Sequence, residues 1–143
     1  MKKIIYIGLL GFLGAICRYA LMNIETISSF PINTLLINIA GCFAFSIITT
    51  VAYATNRIDQ DIRIGITAGF LGAFTTLSTF CRETIDQILI GSHLNSIIYI
   101  FLSLSFGILA VQAGAALAES FIVKNIKKAQ LHNNADIEKD QEN

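Results

Sequence analysis

The sequence is poor in charged residues and lacks the local patterns that mark common enzyme sites. Only 14% of its 143 residues are charged, whereas 54% are hydrophobic and the mean hydropathy is +0.64. A soluble domain of this size has too small an interior to bury so much hydrocarbon. No nucleophile paired with a base, phosphate-binding loop or pair of catalytic carboxylates is evident. The composition therefore argues against an enzyme and indicates an integral membrane protein.

Cysteine is also scarce. Cys17, Cys42 and Cys81 lie in different hydrophobic stretches, at spacings that match no metal-binding motif. Free cysteine packs as a small apolar side chain, so helix packing accounts for all of them.

Four hydrophobic stretches are long enough to cross a bilayer, which takes about 20 residues of α-helix. They cover residues 4–22, 34–54, 64–90 and 96–121. The connectors are short, and the only proline, Pro31, lies in the first of them. We therefore predict an all-α, polytopic domain with four transmembrane helices over residues 1–123. The polar tail, residues 124–143, is expected to be cytoplasmic and disordered.

The N-terminus has an alternative interpretation, because two lysines followed by an apolar core and small residues also describe a secretory signal peptide. Arg18 interrupts the region where cleavage would occur, and three more spans follow with no soluble domain to export. The first hydrophobic stretch is therefore interpreted as a transmembrane span.

Basic residues outside the hydrophobic stretches collect on one predicted side of the membrane. With four spans, both termini and the connector between the second and third spans share this side. The basic residues assigned to it are Lys2, Lys3, Arg57, Arg63, Lys124, Lys127, Lys128 and Lys139. By the positive-inside rule, we expect a cell-membrane protein with cytoplasmic termini and one fixed orientation.

Charged and strongly polar residues within the spans are few. Arg18, near the outer end of the first span, lies at a depth similar to that of Glu83 in the third. Because an unpaired charge is costly in hydrocarbon, we predict an ion pair between them; the alternative is that Arg18 reaches the lipid headgroups. Asn38, near the middle of the second span, needs a partner or water for the same reason.

The third hydrophobic stretch contains the segment GFLGAFTTLSTFCRE, residues 69–83, which has weak helix propensity. Its glycines, and a run of threonine and serine hydroxyls that compete for backbone groups, disfavour a continuous helix. We therefore predict that the third helix is broken near mid-membrane. Such breaks are tolerated where the freed backbone is buried or binds an ion, and carbonyls at the end of a half-helix suit a cation.

Three ordered motifs resemble those of the Fluc, or CrcB-type, fluoride channels. Residues 69–83 resemble the signature GFxGxxTTFSTF, residues 11–21 (GFLGAICRYAL) a GGxxGAxxRY start, and residues 30–43 (FPINTLLINIAGCF) an FPxGTLxVNxxG second span. The resemblance implies a dimer of antiparallel subunits that exports fluoride passively from the cytoplasm. It also implies a structural sodium ion, which is not transported, bound by carbonyl oxygens of Gly72 and Thr75.

The same resemblance implies which side chains line the fluoride pathway. The positions that match are Asn38 of the second span, Phe80 of the third, and Tyr99 and Ser103 of the fourth. Amide, hydroxyl and aromatic-edge donors can replace the water around a small anion, and they bind it less tightly than a full positive charge would. Thr34, one turn before Asn38, would extend this pathway.

The chain departs from the family pattern at two positions. Leu77 replaces the first signature phenylalanine of the pathway, and Gly107 stands where a hydroxyl residue is common. Together with the one-sided charge, these changes favour a subunit of a heterodimer whose homologous partner inserts in the opposite orientation. Two other functions remain open: a small proton-coupled multidrug exporter, which needs a membrane-embedded carboxylate, and a non-conducting assembly subunit.

Overall fold

The computed structural model of the chain describes residues 2–24, 30–55, 58–125 and 128. Regular structure in these residues is entirely helical, which confirms the predicted all-α class. The segments are α1 (Lys2–Met22), α2 (Ile32–Thr55), α3 (Gln60–Ile64), a π-helical segment (Gly65–Leu71), α4 (Gly72–Phe74), α5 (Leu77–Leu89), α6 (His93–Leu117) and a second π-helical segment (Ala118–Val123). Arg57, Lys127 and nearly all of the tail predicted to be disordered lie outside the described residues.

Within the residues that the structure describes, four helical stretches are long and apolar enough to cross a membrane, as predicted. These spans are Lys2–Met22, Ile32–Ala54, Gln60–Leu89 and His93–Phe121. Large apolar side chains along them, such as Phe12, Phe101 and Leu104, are mostly exposed. An outward-facing apolar surface of this kind is suited to lipid or to another membrane helix, so the chain is a multi-pass membrane protein.

The first span packs against the π-helical segment Gly65–Leu71 so closely that the two backbones are in contact. A Cβ atom at Gly69 would lie 2.7 Å from the carbonyl oxygen of Ile7, and one at Gly14 would collide with the carbonyl oxygen of Phe70. Small residues permit this close approach of membrane helices. The N-terminal half of the third span is therefore fixed against α1.

The second and fourth spans form the other main contact of the fold. Gly114 of α6 lies so close to α2 that a Cβ there would be 2.7 Å from the carbonyl oxygen of Phe43. Nearby, the Ser46 hydroxyl donates a hydrogen bond of 2.6 Å to the carbonyl oxygen of Val111. This contact places the buried hydroxyl residues of α2 and α6 opposite each other.

Between α4 and α5, two residues leave the helical conformation. Thr75 has ψ 157°, and Thr76 has φ −147° and ψ 113°, so both are extended. The Thr76 hydroxyl accepts a hydrogen bond of 3.1 Å from the backbone N–H of Thr79 and thereby caps the start of α5. The two extended residues separate the N-terminal and C-terminal parts of the third span.

Candidate functional site

Two hydroxyl side chains from different helices meet at the Glu83 carboxylate of α5. The Thr34 hydroxyl donates a 2.8 Å hydrogen bond to Oε1, and the Tyr99 hydroxyl donates one of 2.8 Å to Oε2. Thr34 and Tyr99 are fully buried, whereas Glu83 is half-buried. A carboxylate is acceptor-only when ionised, so two hydroxyl donors match its two oxygens. The structure thus brings together Thr34 and Tyr99, two of the side chains predicted for the pathway.

Aromatic rings enclose the Tyr99 side chain. The centroid of the Phe80 ring lies 5.0 Å from that of Tyr99, and the Phe30 ring meets Tyr99 edge-on at 5.5 Å with an interplanar angle of 81°. These separations are typical of favourable aromatic pairs. Phe80, also predicted for the pathway, therefore belongs to the same cluster as Tyr99 and Glu83.

Asn38 of α2 contacts the extended residues rather than the Glu83 cluster. Its Nδ2 donates to the carbonyl oxygen of Thr76 at 3.1 Å, and its Oδ1 accepts from the Thr76 backbone N–H at 2.8 Å. The carboxamide therefore has the partner that its position in a membrane span requires. One of its two N–H groups is used in this contact, which leaves the second available as a donor.

The extended residues divert two backbone donors from their helical acceptors. In an α-helix, the N–H of Thr76 would bond to the carbonyl of Gly72, and that of Thr79 to the carbonyl of Thr75. Here the first donates to Asn38 Oδ1 and the second to Thr76 Oγ1. The carbonyl groups of Gly72 and Thr75 therefore lack the donors that a continuous helix would give them.

Ser103 and Leu77 lie in different environments. Among the described residues, the Ser103 hydroxyl oxygen is buried without a hydrogen-bond partner. Such an atom is costly unless it meets water, an ion or another subunit. Leu77, in contrast, is 74% exposed at the start of α5 and contributes nothing to the Glu83 cluster.

The predicted Arg18–Glu83 ion pair does not form. Glu83 faces α2 and α6 through its two hydroxyl partners, whereas the helix that carries Arg18 packs on the π-helical segment and α4. Within the described ranges, the one ion pair joins Arg82 to Asp86 at 3.7 Å, and both side chains are exposed. Similar depth in the membrane did not put Arg18 and Glu83 on facing sides of their helices.

Comparison with known proteins identifies the family. The model of the family described as CrcB-like protein, Camphor Resistance (CrcB), matches residues 5–115. The chain belongs to the CrcB family. Among its relatives in this family, the fluoride-specific ion channel FluC 1 of Bacillus thuringiensis subsp. konkukian is 38% identical over 131 residues, which cover 88% of this chain and 96% of the relative. The fluoride-specific ion channel FluC of Dehalococcoides mccartyi is 37% identical over 120 residues, 82% of this chain and 92% of the relative.

The CrcB-family motifs quoted from the sequence all lie within the matched region, so the resemblance is confirmed. Sequence reasoning nevertheless missed contacts inside this CrcB chain. The Ser96 hydroxyl donates to the carbonyl oxygen of Thr84 at 3.3 Å, and Gln87 is buried with no partner for Oε1 in the described part of the chain. The spacing of Ser96, Tyr99 and Ser103, which puts them on one face of a helix, is a signal that could have pointed to this side of α6.

A cavity of about 310 Å³ opens beside the Glu83 cluster, where the end of α1, the start of α2 and the end of α5 come together. Among the residues that line it are Thr34, Glu83 and Gln87, together with Phe30 and Asn33. The cavity therefore connects the buried polar groups to the surface of the chain at this end of the spans.

Proposed function

We propose that this chain is a subunit of a fluoride-selective channel that carries fluoride passively out of the cytoplasm and so reduces fluoride toxicity. The observation that carries the proposal is the buried, unpartnered hydroxyl of Ser103, on the same helix as Tyr99, in a chain of the CrcB family. The relatives named above are fluoride-specific ion channels. A membrane potential that is negative inside drives an anion outward through such a pore.

The chemistry of the proposed pathway suits a small, strongly hydrated anion. Tyr99, Ser103 and the second N–H of Asn38 are neutral donors, and the Phe80 ring adds a positive edge. Neutral donors can replace water at each step and still release the ion. Thr34 extends the pathway toward the outer cavity, where its hydroxyl now bonds to Glu83.

A structural sodium ion fits the interruption of the third span. We place this interruption near mid-membrane, where Thr75 and Thr76 are extended. The carbonyls of Gly72 and Thr75 are the proposed ligands, because their helical donors bond elsewhere. Carbonyl oxygens are suitable ligands for a hard cation, and backbone that is not helical at this depth needs such a partner. The ion would hold the turn in place and would not be transported.

A second subunit in antiparallel orientation completes the proposed channel. The chain by itself leaves Leu77, at the start of α5, 74% exposed beside the extended residues. The one-sided distribution of basic residues supports cytoplasmic termini and a single orientation. Because a self-pairing antiparallel dimer needs copies inserted both ways, we propose a homologous partner that inserts oppositely.

An exporter mechanism is less consistent with the geometry. A proton-coupled exporter needs an embedded carboxylate that is open to protons and substrate. Both oxygens of Glu83 already accept hydrogen bonds from buried hydroxyls. Glu83 is therefore engaged within the protein, and no such role is proposed for it.

The proposal is tested by expressing the chain alone, with a reporter fused to its C-terminus, and by reconstituting it with and without its homologous partner. We expect reporter signal on the cytoplasmic side only, and fluoride efflux from liposomes when both chains are present. Signal on both sides, with efflux from the chain alone, would contradict the heterodimer. Absence of fluoride efflux in every combination would contradict the channel itself.

A further inference from the structure

We propose that Asn38 is the positioning residue of the cation-binding turn. Its carboxamide holds both backbone polar groups of Thr76 and so keeps the Gly72 carbonyl free to bind sodium. This inference rests on the proposed function, because it assigns a residue that prepares the proposed sodium site. It concerns how the second span acts on the third, and it adds to the role of Asn38 as a donor in the pathway.

The contact between Asn38 and Thr76 is reciprocal. Asn38 accepts from the Thr76 N–H at 2.8 Å and donates to the Thr76 carbonyl oxygen at 3.1 Å. Thr76 itself is 4% exposed, so water from bulk solvent does not replace these bonds. A carboxamide is the side-chain group that can donate and accept at once across a backbone segment. Asn38 therefore fixes both the position and the direction of the extended backbone.

Without this contact, the third span has a competing conformation. The Thr76 N–H could return to the Gly72 carbonyl and continue α4 by another residue, because threonine is a tolerated, if not favoured, helix residue. That bond would occupy the carbonyl proposed for sodium. The Asn38 carboxamide stabilises the extended conformation by satisfying the donor elsewhere, and an unsatisfied backbone group in a membrane span is expensive.

Thr76 also connects this turn to the start of α5. Its hydroxyl accepts from the Thr79 N–H at 3.1 Å, which is the donor that a continuous helix would direct to the Thr75 carbonyl. By holding Thr76, Asn38 also keeps this hydroxyl in place as the cap of α5. One side chain on the second span therefore controls the donors of both proposed sodium ligands.

The test uses the purified, full-length channel complex and measures its melting temperature in detergent at increasing sodium concentration, with potassium replacing sodium to keep ionic strength constant. The variant is Asn38→Ala. The matched control is Asn33→Ala, on the same helix, whose side chain also bonds to backbone carbonyls, those of Met22 and Ile24 at 3.4 and 2.8 Å. Fluoride efflux from liposomes is recorded on the same preparations.

We expect sodium to raise the melting temperature of the unmodified complex. The sodium concentration that gives half of this rise, the midpoint, should be the same in Asn33→Ala. In Asn38→Ala the midpoint should rise by about tenfold or more, equivalent to ~1.4 kcal/mol. An unchanged midpoint in Asn38→Ala would overturn the inference. No sodium effect on the unmodified complex would also overturn it, and fluoride efflux in that sample would show that the channel proposal survives.

A second variant covers the case in which Asn38→Ala does not fold. Asn38→Asp keeps an acceptor oxygen for the Thr76 N–H, so it should retain the sodium response with a midpoint shift well below that of the alanine variant. Hydrogen exchange at the Thr76 amide gives an independent readout. It should be slow in the unmodified complex and in Asn38→Asp. Rapid exchange in both, or loss of the sodium response in Asn38→Asp, would overturn the inference.

Discussion

The two parts of the third span are held by different forces. The N-terminal part, from Gln60 to Phe74, meets the first span through close backbone contact, at Gly14 and Gly69 above all. The C-terminal part, from Leu77 to Leu89, meets the second and fourth spans through side-chain hydrogen bonds to Glu83. Steric fit fixes the first contact, and polar pairing fixes the second.

This difference indicates where a membrane protein can place polar groups without losing stability. In lipid, close packing of small residues stabilises the association of helices where no polar group is present. The N-terminal contact follows that rule. The C-terminal contact uses hydroxyls and a carboxylate, which leaves polar groups beside the cavity. The Glu83 cluster therefore lies in the part of the span that is held by polar pairing.

The largest effect is expected from a break in the steric contact. In Gly14→Ala, the added methyl group meets the carbonyl oxygen of Phe70, which is backbone and cannot rotate away. We expect a loss of about 3 kcal/mol in the free energy of unfolding, at the upper end of overpacking effects. Gly8→Ala on the same helix is the control, because a Cβ atom there would meet no atom of the described residues within 4 Å. Reversible unfolding in mixed micelles measures both; equal stability of the two variants would contradict the steric account.

A smaller loss is expected when the C-terminal contact is weakened. Tyr99→Phe keeps the ring between Phe80 and Phe30 but leaves Glu83 Oε2 without its hydroxyl donor. We expect a loss of about 2 kcal/mol, as for hydrogen bonds to charged groups, together with slower fluoride efflux. The same unfolding assay applies. Tyr53→Phe, at a position 75% exposed, should leave both stability and efflux unchanged. Equal behaviour of the two variants would show that the Tyr99 hydroxyl is not part of the site.

The smallest effect is expected at Thr34. Thr34→Val preserves shape and removes the hydroxyl that donates to Glu83 Oε1. Because Thr34 lines the cavity beside Glu83, where water can replace the lost donor, whereas Tyr99 does not line it, we expect a loss of about 1 kcal/mol. The control is Thr49→Val on the same helix, where the hydroxyl bonds to the carbonyls of Phe45 and Ser46 in its own helix. Unfolding and efflux that are the same in both variants would remove Thr34 from the pathway.

The sequence was sufficient to predict the number of spans, because each needs a long apolar run that composition reveals directly. It also pointed to the residues that the structure places around Tyr99, since Phe80 was named from the family motif and Thr34 from its position one turn before Asn38. Hydropathy and motif spacing are local properties of the sequence, so both can be recognised without knowledge of the fold.

Contacts between helices were harder to predict. The expected Arg18–Glu83 pair was wrong because depth along a span says nothing about the direction in which a side chain points. The two hydrogen bonds between Asn38 and the Thr76 backbone were not predicted, because they depend on the register between the second and third spans. Both depend on how each helix is rotated about its axis, which the apolar pattern does not encode.

The most direct test of the proposed function is anion efflux from liposomes that contain the complex purified from its native membrane through a tag on this chain. Internal fluoride or chloride is released along a potential set by potassium and valinomycin, and ion-selective electrodes record each anion. We predict that fluoride leaves the liposomes while chloride is retained. Retention of fluoride, or release of chloride at a similar rate, would contradict the account.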